Sequence, residues 1–286
     1  SLGRRQAVRH RVLVPTFLGS NPSGPVFQLF SPGACQVRPA PLPVFDFDGV
    51  LVDGMPEYWW SARRAALELD PSLDLPEQAP LAFSQLRPRI HKGWEMVLVA
   101  AELGRSDFDL HAALADYDAT LQGALARSGR SAGELQAALE LVRQAALASD
   151  PEAWLALHRF YPGVVERLRS LETEGVGWAV LTTKGGAFAT RLLAAASLAP
   201  LAVYGHEQGS KPEVLLRLRG QQRPLWFVED RRPTLELVRT TAGLEEVRCF
   251  LALWGYLAPG DADGLEPLGI LPLDAAQFGA PLALWP

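Results

Sequence analysis

The chain has 286 residues, a mass of 31.1 kDa and 48% hydrophobic residues, enough to bury a core in one large domain or two modest ones. Its 27 basic and 32 acidic residues leave a net charge of −5, which argues against a surface built as a whole for nucleic acid or an anionic membrane. Two cysteines, Cys35 and Cys249, are too few for a disulfide framework or a thiolate zinc site and suit a reducing compartment, while apolar runs such as Met96 to Ala101 are much shorter than the ~20 residues that span a bilayer.

Residues 1–43 read as a loosely packed arm. Residues 1 to 45 hold five arginines (Arg4, Arg5, Arg9, Arg11, Arg38) and no acid, together with a Pro/Gly/Ser-rich stretch from Gly19 to Pro25, and no helical or strand period. The location expected is cytoplasmic, although an Arg-bearing, acid-free leader also has the texture of an organelle transit peptide.

Order is expected from Val44-Phe45, an apolar run that ends in Asp46-Phe47-Asp48-Gly49, as a buried parallel strand delivers charged groups to its C-terminal edge. From Pro56 to residue 159 the composition turns to Ala, Leu, Glu, Gln and Arg, which favours helices. One helix is predicted over Glu57 to Leu69 and a second over Leu81 to Leu103, interrupted near Pro88 and Gly93; a third runs from Phe108 to Ala126. Ser131 and Glu134 form a capping-box pattern before Leu135, Leu139, Val142 and Ala146 at helical spacing, and Asp150-Pro151 starts a short fifth helix.

Beyond Tyr161-Pro162-Gly163 helices and strands alternate. Helices are predicted from Val164 to Gly175, Gly186 to Leu198, Pro212 to Arg219 and Pro233 to Thr241, between strands at Trp178 to Leu181, Leu201 to Tyr204, Leu225 to Val228 and Val247 to Leu251. Strands separated by ~10-residue helices imply βαβ units and a parallel sheet. The expectation is an α/β, doubly wound parallel sheet built from residues 44–55 and 160–286, with an all-α block over residues 56–159 inserted after its first strand.

Four segments at strand ends carry candidate chemistry. Asp46 and Asp48 are two apart on an extended chain and face one pocket. Thr182-Thr183-Lys184-Gly185-Gly186 leads from a strand into a helix, an anion cradle. Lys211 precedes a helix, and Glu229-Asp230 closes an apolar strand with oxygen ligands suited to a hard cation. Each alone also has an ordinary reading as turn, cap or solvated charge; their order, all at strand C-termini, favours a phosphoryl-transfer site.

With these residues in this order the sequence resembles the haloacid dehalogenase-like superfamily, in its phosphoglycolate phosphatase and β-phosphoglucomutase branch. Asp46-Phe47-Asp48-Gly49-Val50 matches the first family motif, Thr182 the second, Lys211 the third and Glu229-Asp230 the fourth, over residues 44 to 255, and the helical block takes the position of the family's cap. Four residues after Asp230 stands Thr234, where many relatives have a second Asp. The resemblance implies a Mg²⁺-dependent phosphatase acting on a small-molecule phosphate ester, as a monomer or homodimer. It implies Asp46 as nucleophile, Asp48 as general acid and base, Thr182, Thr183 and Lys211 as phosphate ligands, and Asp46, the Asp48 carbonyl and Asp230 around the metal, with Glu229 as a ligand or behind the ligands. Family dehalogenases lack the second Asp, so Asp48 implies phosphoryl transfer; a phosphomutase, or a weakly catalytic binding relative, stays open as an alternative.

In the helical block, Tyr58-Trp59-Trp60 with Arg63 and Arg64, and Arg87 through Lys92, offer an aromatic and basic substrate lid, represented by Trp59, Arg63, Arg89 and Lys92. The same residues also fit a core tryptophan and solvent-facing cations. The five histidines show no metal-ligand spacing.

Overall fold

The computed structural model describes residues 39–221 and 223–286, so the arm expected over residues 1–43 lies, as far as residue 38, outside the described residues. Strand β1 runs from Leu42 to Phe45. The ordered core therefore begins two residues before Val44: Leu42 is buried, and Leu42 and Pro43 pair with Leu225 and Trp226.

After β1 the chain forms β2 (Val52–Asp53) and enters seven helices: α1 (Met55–Leu69), α2 (Leu81–Leu86), α3 (Gly93–Leu103), α4 (Leu110–Ala115), α5 (Tyr117–Ser128), α6 (Ala132–Ser149) and α7 (Pro151–Leu155). It leaves them through β3 (Arg159–Phe160), antiparallel to β2 with Val52 opposite Phe160. The helical block is thus tied at its two junctions by one short ribbon.

Two predicted helices break in two. The second divides into α2 and α3 around a 3-10 turn at Arg87–Arg89, because Pro88 supplies no N–H to continue the ladder. The third divides at Asp116, whose side chain accepts from Ala119 N at 3.0 Å and starts α5 as a cap, while Asp109 caps α4 in the same way. Short polar side chains compete with helical backbone bonds, and here they win. The capping box of α6 forms as expected, with Ser131 N donating to Glu134 Oε2 at 2.7 Å and Glu134 N to Ser131 Oγ at 3.2 Å.

The rest of the chain gives α8 (Val164–Thr173), β4 (Ala179–Leu181), α9 (Gly186–Ala195), β5 (Ala202–Tyr204), α10 (Lys211–Arg219), β6 (Leu225–Glu229), α11 (Arg232–Thr240) and β7 (Arg248–Ala252), then β8 (Ile270–Leu273) and α12 (Ala275–Gly279). The six-stranded sheet has the order β5-β4-β1-β6-β7-β8, and every pair in it is parallel. Period-two alternation along the strands serves both faces: Phe45, Val180, Val228 and Phe250 pack with α8, α9 and α12, whereas Val44, Leu181, Phe227 and Leu251 pack with α10 and α11. The helical block has its own apolar cluster around Trp59, Phe83, Leu98 and Leu139. No helix of the described residues is long and apolar enough to cross a membrane.

This strand order decides where the chemistry lies. β4, β1 and β6 are neighbours, so the residues that follow or end them, Thr182, Asp46 and Glu229-Asp230, share one edge of the sheet.

Candidate active site

At that edge the carboxylates of Asp46, Glu229 and Asp230 each offer an oxygen within 4.8 Å of the others, and all three residues are buried. Lys211, the first residue of α10, reaches the group from the side. Its Nζ donates to Glu229 Oε2 at 2.5 Å and lies 2.7 Å from Asp46 Oδ1. Ser210 holds the start of α10 through a capping box with Glu213, which fixes the point from which the lysine projects.

One lysine does not balance three buried carboxylates. Burial and the charge of Glu229 push Asp46 up to about 7 despite Lys211, burial and the charge of Asp46 push Asp230 up to about 6, and burial raises Glu229. Asp46 Oδ1 is enclosed, with Lys211 as its charged contact. An oxygen-only, anionic, water-poor cluster of this kind fits a hard divalent cation. Within it the roles divide: Glu229 already accepts from Lys211 at Oε2 and from Arg231 N at Oε1 (3.1 Å), whereas Asp230 is held at Oδ2 by Tyr256 N at 2.8 Å. Glu229 is therefore engaged in aiming Lys211, while Asp230 takes one backbone donor, Tyr256 N, and lies against the Glu229 carboxyl.

The loop after β1 makes this approach feasible. Gly49 has φ +93° and an added Cβ would stand 2.0 Å from Asp230 Oδ2, so only glycine lets the backbone turn past that carboxylate.

Asp48 shares a cavity of about 260 Å³ with Asp46, Thr183 and Lys211. Thr182 is buried beside it and its Oγ1 accepts from Lys184 N at 3.0 Å. The fold thus gathers Asp46, Asp48, Thr182, Thr183, Lys211, Glu229 and Asp230 around one edge of the sheet. Thr234 also lines the cavity.

The four lid candidates are not gathered there. Trp59 is buried inside the helical block, its Nε1 donating to Pro76 O and Glu77 O at 3.1 Å, and Arg63 donates to Leu75 O. Arg89 and Lys92 are exposed, and neither lines the cavity. Tyr58, Arg87, Ile90 and His91 close it instead, facing Arg231 from the core. Arg87 is sandwiched between the rings of Tyr58 (4.7 Å) and Tyr256 (4.5 Å), and Arg231 reaches His91 Nδ1 at 2.6 Å. The cavity is thus lined from the same two segments but by other residues within them, because helical periodicity does not say which face turns to the sheet.

Sequence reasoning also missed a buried ionic group under Asp48. Lys184 Nζ stands 3.2 Å from Asp48 Oδ1 and 3.9 Å from Glu57 Oε2, and Glu57 is chelated by Arg143. A cation at position 184 between two threonines and two glycines was the available signal.

Two larger cavities, of about 450 and 310 Å³, lie on the helical block and are lined by Trp60, Arg64 and Trp154 and by Leu69, Leu98 and Arg127. Size alone does not select the site, since neither contains any of the clustered carboxylates.

No family model matches the sequence, and no curated protein does. Solved structures do match. A Haemophilus somnus protein described as a predicted phosphoglycolate phosphatase is 19% identical, with 78% of this chain and 91% of that one covered at a TM-score of 0.51. A haloacid dehalogenase-like family protein of Streptococcus pneumoniae is 15% identical, covering 82% and 94% at 0.53. A Thermotoga maritima protein provisionally assigned as a β-phosphoglucomutase is 17% identical, covering 84% and 96% at 0.51. At such identities the likeness establishes architecture: the chain has the haloacid dehalogenase-like fold.

Proposed function

We propose that this chain is a Mg²⁺-dependent phosphatase that hydrolyses a small phosphoric monoester through an aspartyl phosphate. The observation that carries the reading is the enclosed trio Asp46, Glu229 and Asp230 against a single lysine, opening into the cavity that also holds Asp48.

Asp46 attacks phosphorus and the bond to the leaving oxygen breaks, as Asp48 gives that oxygen a proton. In the second displacement Asp48 takes a proton from the attacking water, and the carboxylate of Asp46 is released with inorganic phosphate. Lys211 and the hydroxyls of Thr182 and Thr183 bind the phosphoryl oxygens, offsetting the repulsion between an anionic ester and two aspartates. Asp46, the Asp48 carbonyl and Asp230, with Glu229 behind them, are the groups that would hold Mg²⁺, which would supply further positive charge for the phosphoryl oxygens.

The cavity of about 260 Å³ is small beside the roughly 300–1,000 Å³ of most ligand pockets. That favours a compact ester as substrate.

The test is phosphate release from a panel of small phosphate monoesters with Mg²⁺ and with chelator, in H₂¹⁸O. Label from solvent is expected in the released phosphate, and Asp46→Asn is expected to be inactive while folded. Isomerisation of a hexose 1-phosphate without phosphate release would give the mutase reading; full activity in Asp46→Asn would end both.

A further inference from the structure

We propose that Lys184 is a positioning residue that holds the carboxyl group of Asp48 for its two proton transfers, and that Glu57, clamped by Arg143, holds Lys184. The inference rests on the phosphoryl-transfer reading, gives Lys184 of the Thr182-to-Gly186 segment a role of its own, and adds Glu57 and Arg143 from the helical block.

Asp48 is almost enclosed, its side chain 11% exposed, and the Tyr58 hydroxyl lies against its carboxyl. Lys184 Nζ, at 3.2 Å, is its ion-pair contact among the described residues. Proton transfer requires the carboxyl within about 2.6–3.2 Å of the leaving oxygen, and a misplacement of ~1 Å can cost ~100-fold in rate. The torsion of this aspartate is set by the groups in reach of its carboxyl, the Tyr58 hydroxyl and Lys184, and of these the lysine brings the charge that holds the ionised form.

Lys184 is itself fixed. Its side chain is 8% exposed, and Nζ lies 3.3 Å from His158 Nε2, 3.9 Å from Glu57 Oε2 and 5.3 Å from the centre of the Tyr58 ring. Burial and the nearby lysine charge push His158 down to about 4, so its ring is neutral near pH 7. The tautomer that donates from Nδ1 to Trp154 O (3.3 Å) leaves Nε2 to accept from Lys184.

Behind the lysine, Glu57 is fully enclosed and takes Arg143 at both oxygens, with Ser61 Oγ donating at 2.5 Å. Asp48 and Lys184 follow strands of the sheet, whereas Glu57 and Arg143 belong to α1 and α6. The orientation of Asp48 thereby depends on the helical block being seated against the sheet.

The test uses the full chain and kcat/KM, which reports the steps up to the aspartyl phosphate. The substrates are glycerol 2-phosphate, whose alkoxide needs a proton, and 4-nitrophenyl phosphate, whose phenolate departs without one. Lys184→Met is expected to lower kcat/KM for the alkyl ester by about 30-fold, inside the ~10²–10⁴ a general acid contributes, and for the aryl ester by less than about 3-fold. In an Asp48→Asn background it should cost nothing further, since the residue it positions is already lost. Lys184→Arg, which keeps the cation, should recover most of the alkyl rate and guards against a misfolded Met variant.

Equal losses on both esters, or losses that multiply with those of Asp48→Asn, would overturn the positioning role and leave the phosphatase intact. A wild type that releases phosphate from neither ester, or an Asp46→Asn variant as active as the wild type, overturns the phosphatase reading and the positioning role with it, before any Lys184 variant is made.

Discussion

Glu57 in α1 accepts from Nε of Arg143 at 2.7 Å and from Nη2 at 2.8 Å, and the glutamate is wholly enclosed while the arginine side chain is 17% exposed. The pair fastens the first helix of the inserted block to its sixth, beside Lys184. Removing one partner strands a buried charge, which typically costs about 3–5 kcal/mol. Arg143→Met is therefore expected to lose about 3 kcal/mol in urea denaturation, at the lower end because the arginine is partly wet and Lys184 remains near Glu57. Adding Glu57→Gln should return part of the loss; a single variant within ~0.5 kcal/mol of wild type would show that the pair is not holding the helices.

The same cluster sets an acid sensitivity. Burial would raise Glu57, but the charges of Arg143 and Lys184 outweigh it and hold it down at about 2, while burial first and Lys184 second push His158 down to about 4. Both groups bind more protons unfolded than folded. Their stabilisation is complete above the unfolded values and is lost as pH falls, from about 6.5 to about 4 for His158 and from about 4.5 to about 2 for Glu57. Between pH 6.5 and 4 the melting temperature of His158→Gln, whose amide does not titrate, should rise relative to that of the wild type, whatever the buried carboxylates add to both; parallel curves for the two proteins would refute the assignment.

The three raised carboxylates act with the opposite sign. Asp46 at about 7 and Asp230 at about 6 bind protons more tightly folded than unfolded, so in chelator their contribution to stability falls as pH rises from about 4 to about 7. A divalent cation replaces those protons, and its affinity rises as they leave. Millimolar Mg²⁺ should raise the melting temperature more at pH 8 than at pH 5, and not at all in Asp230→Asn; a shift independent of pH would mean that the ion binds elsewhere.

Gly49 offers a test through the backbone. At φ +93°, with a Cβ only 2.0 Å from Asp230 Oδ2, alanine is both strained by roughly 1–3 kcal/mol and in collision with a group that cannot move freely, since Tyr256 N holds it. Gly49→Ala should abolish the Mg²⁺-dependent thermal shift and lower kcat/KM by at least ~100-fold. An unchanged shift would show that Asp230 can move aside without consequence.

Much of the fold was legible locally. The strand Leu225–Glu229 appears as an apolar run closed by carboxylates, α6 announces itself by Ser131 and Glu134, and the alternation after Gly163 gives βαβ units, because these signals lie within one element each. β8 and α12 were not foreseen. Ile270–Leu273 contains Pro272 and occupies the sheet edge, where a proline is tolerated but weakens the strand signal.

By itself, the sequence offered the candidates for chemistry from short-range pattern: Asp46, Asp48, Thr182, Glu229 and Asp230 at or just past strand ends, and Lys211, which the structure places at the start of α10 rather than at a strand end. Only the tertiary structure decided their company. The order β4-β1-β6 set Thr182 and Glu229 on either side of Asp46, the turn of α1 buried Trp59 and gave Tyr58 to the cavity, and the seating of the helices brought Glu57 and Arg143 to Lys184. Ion pairs between distant segments leave no periodic trace in the chain. They arise from which faces are buried against each other, and that is settled by packing of the whole molecule.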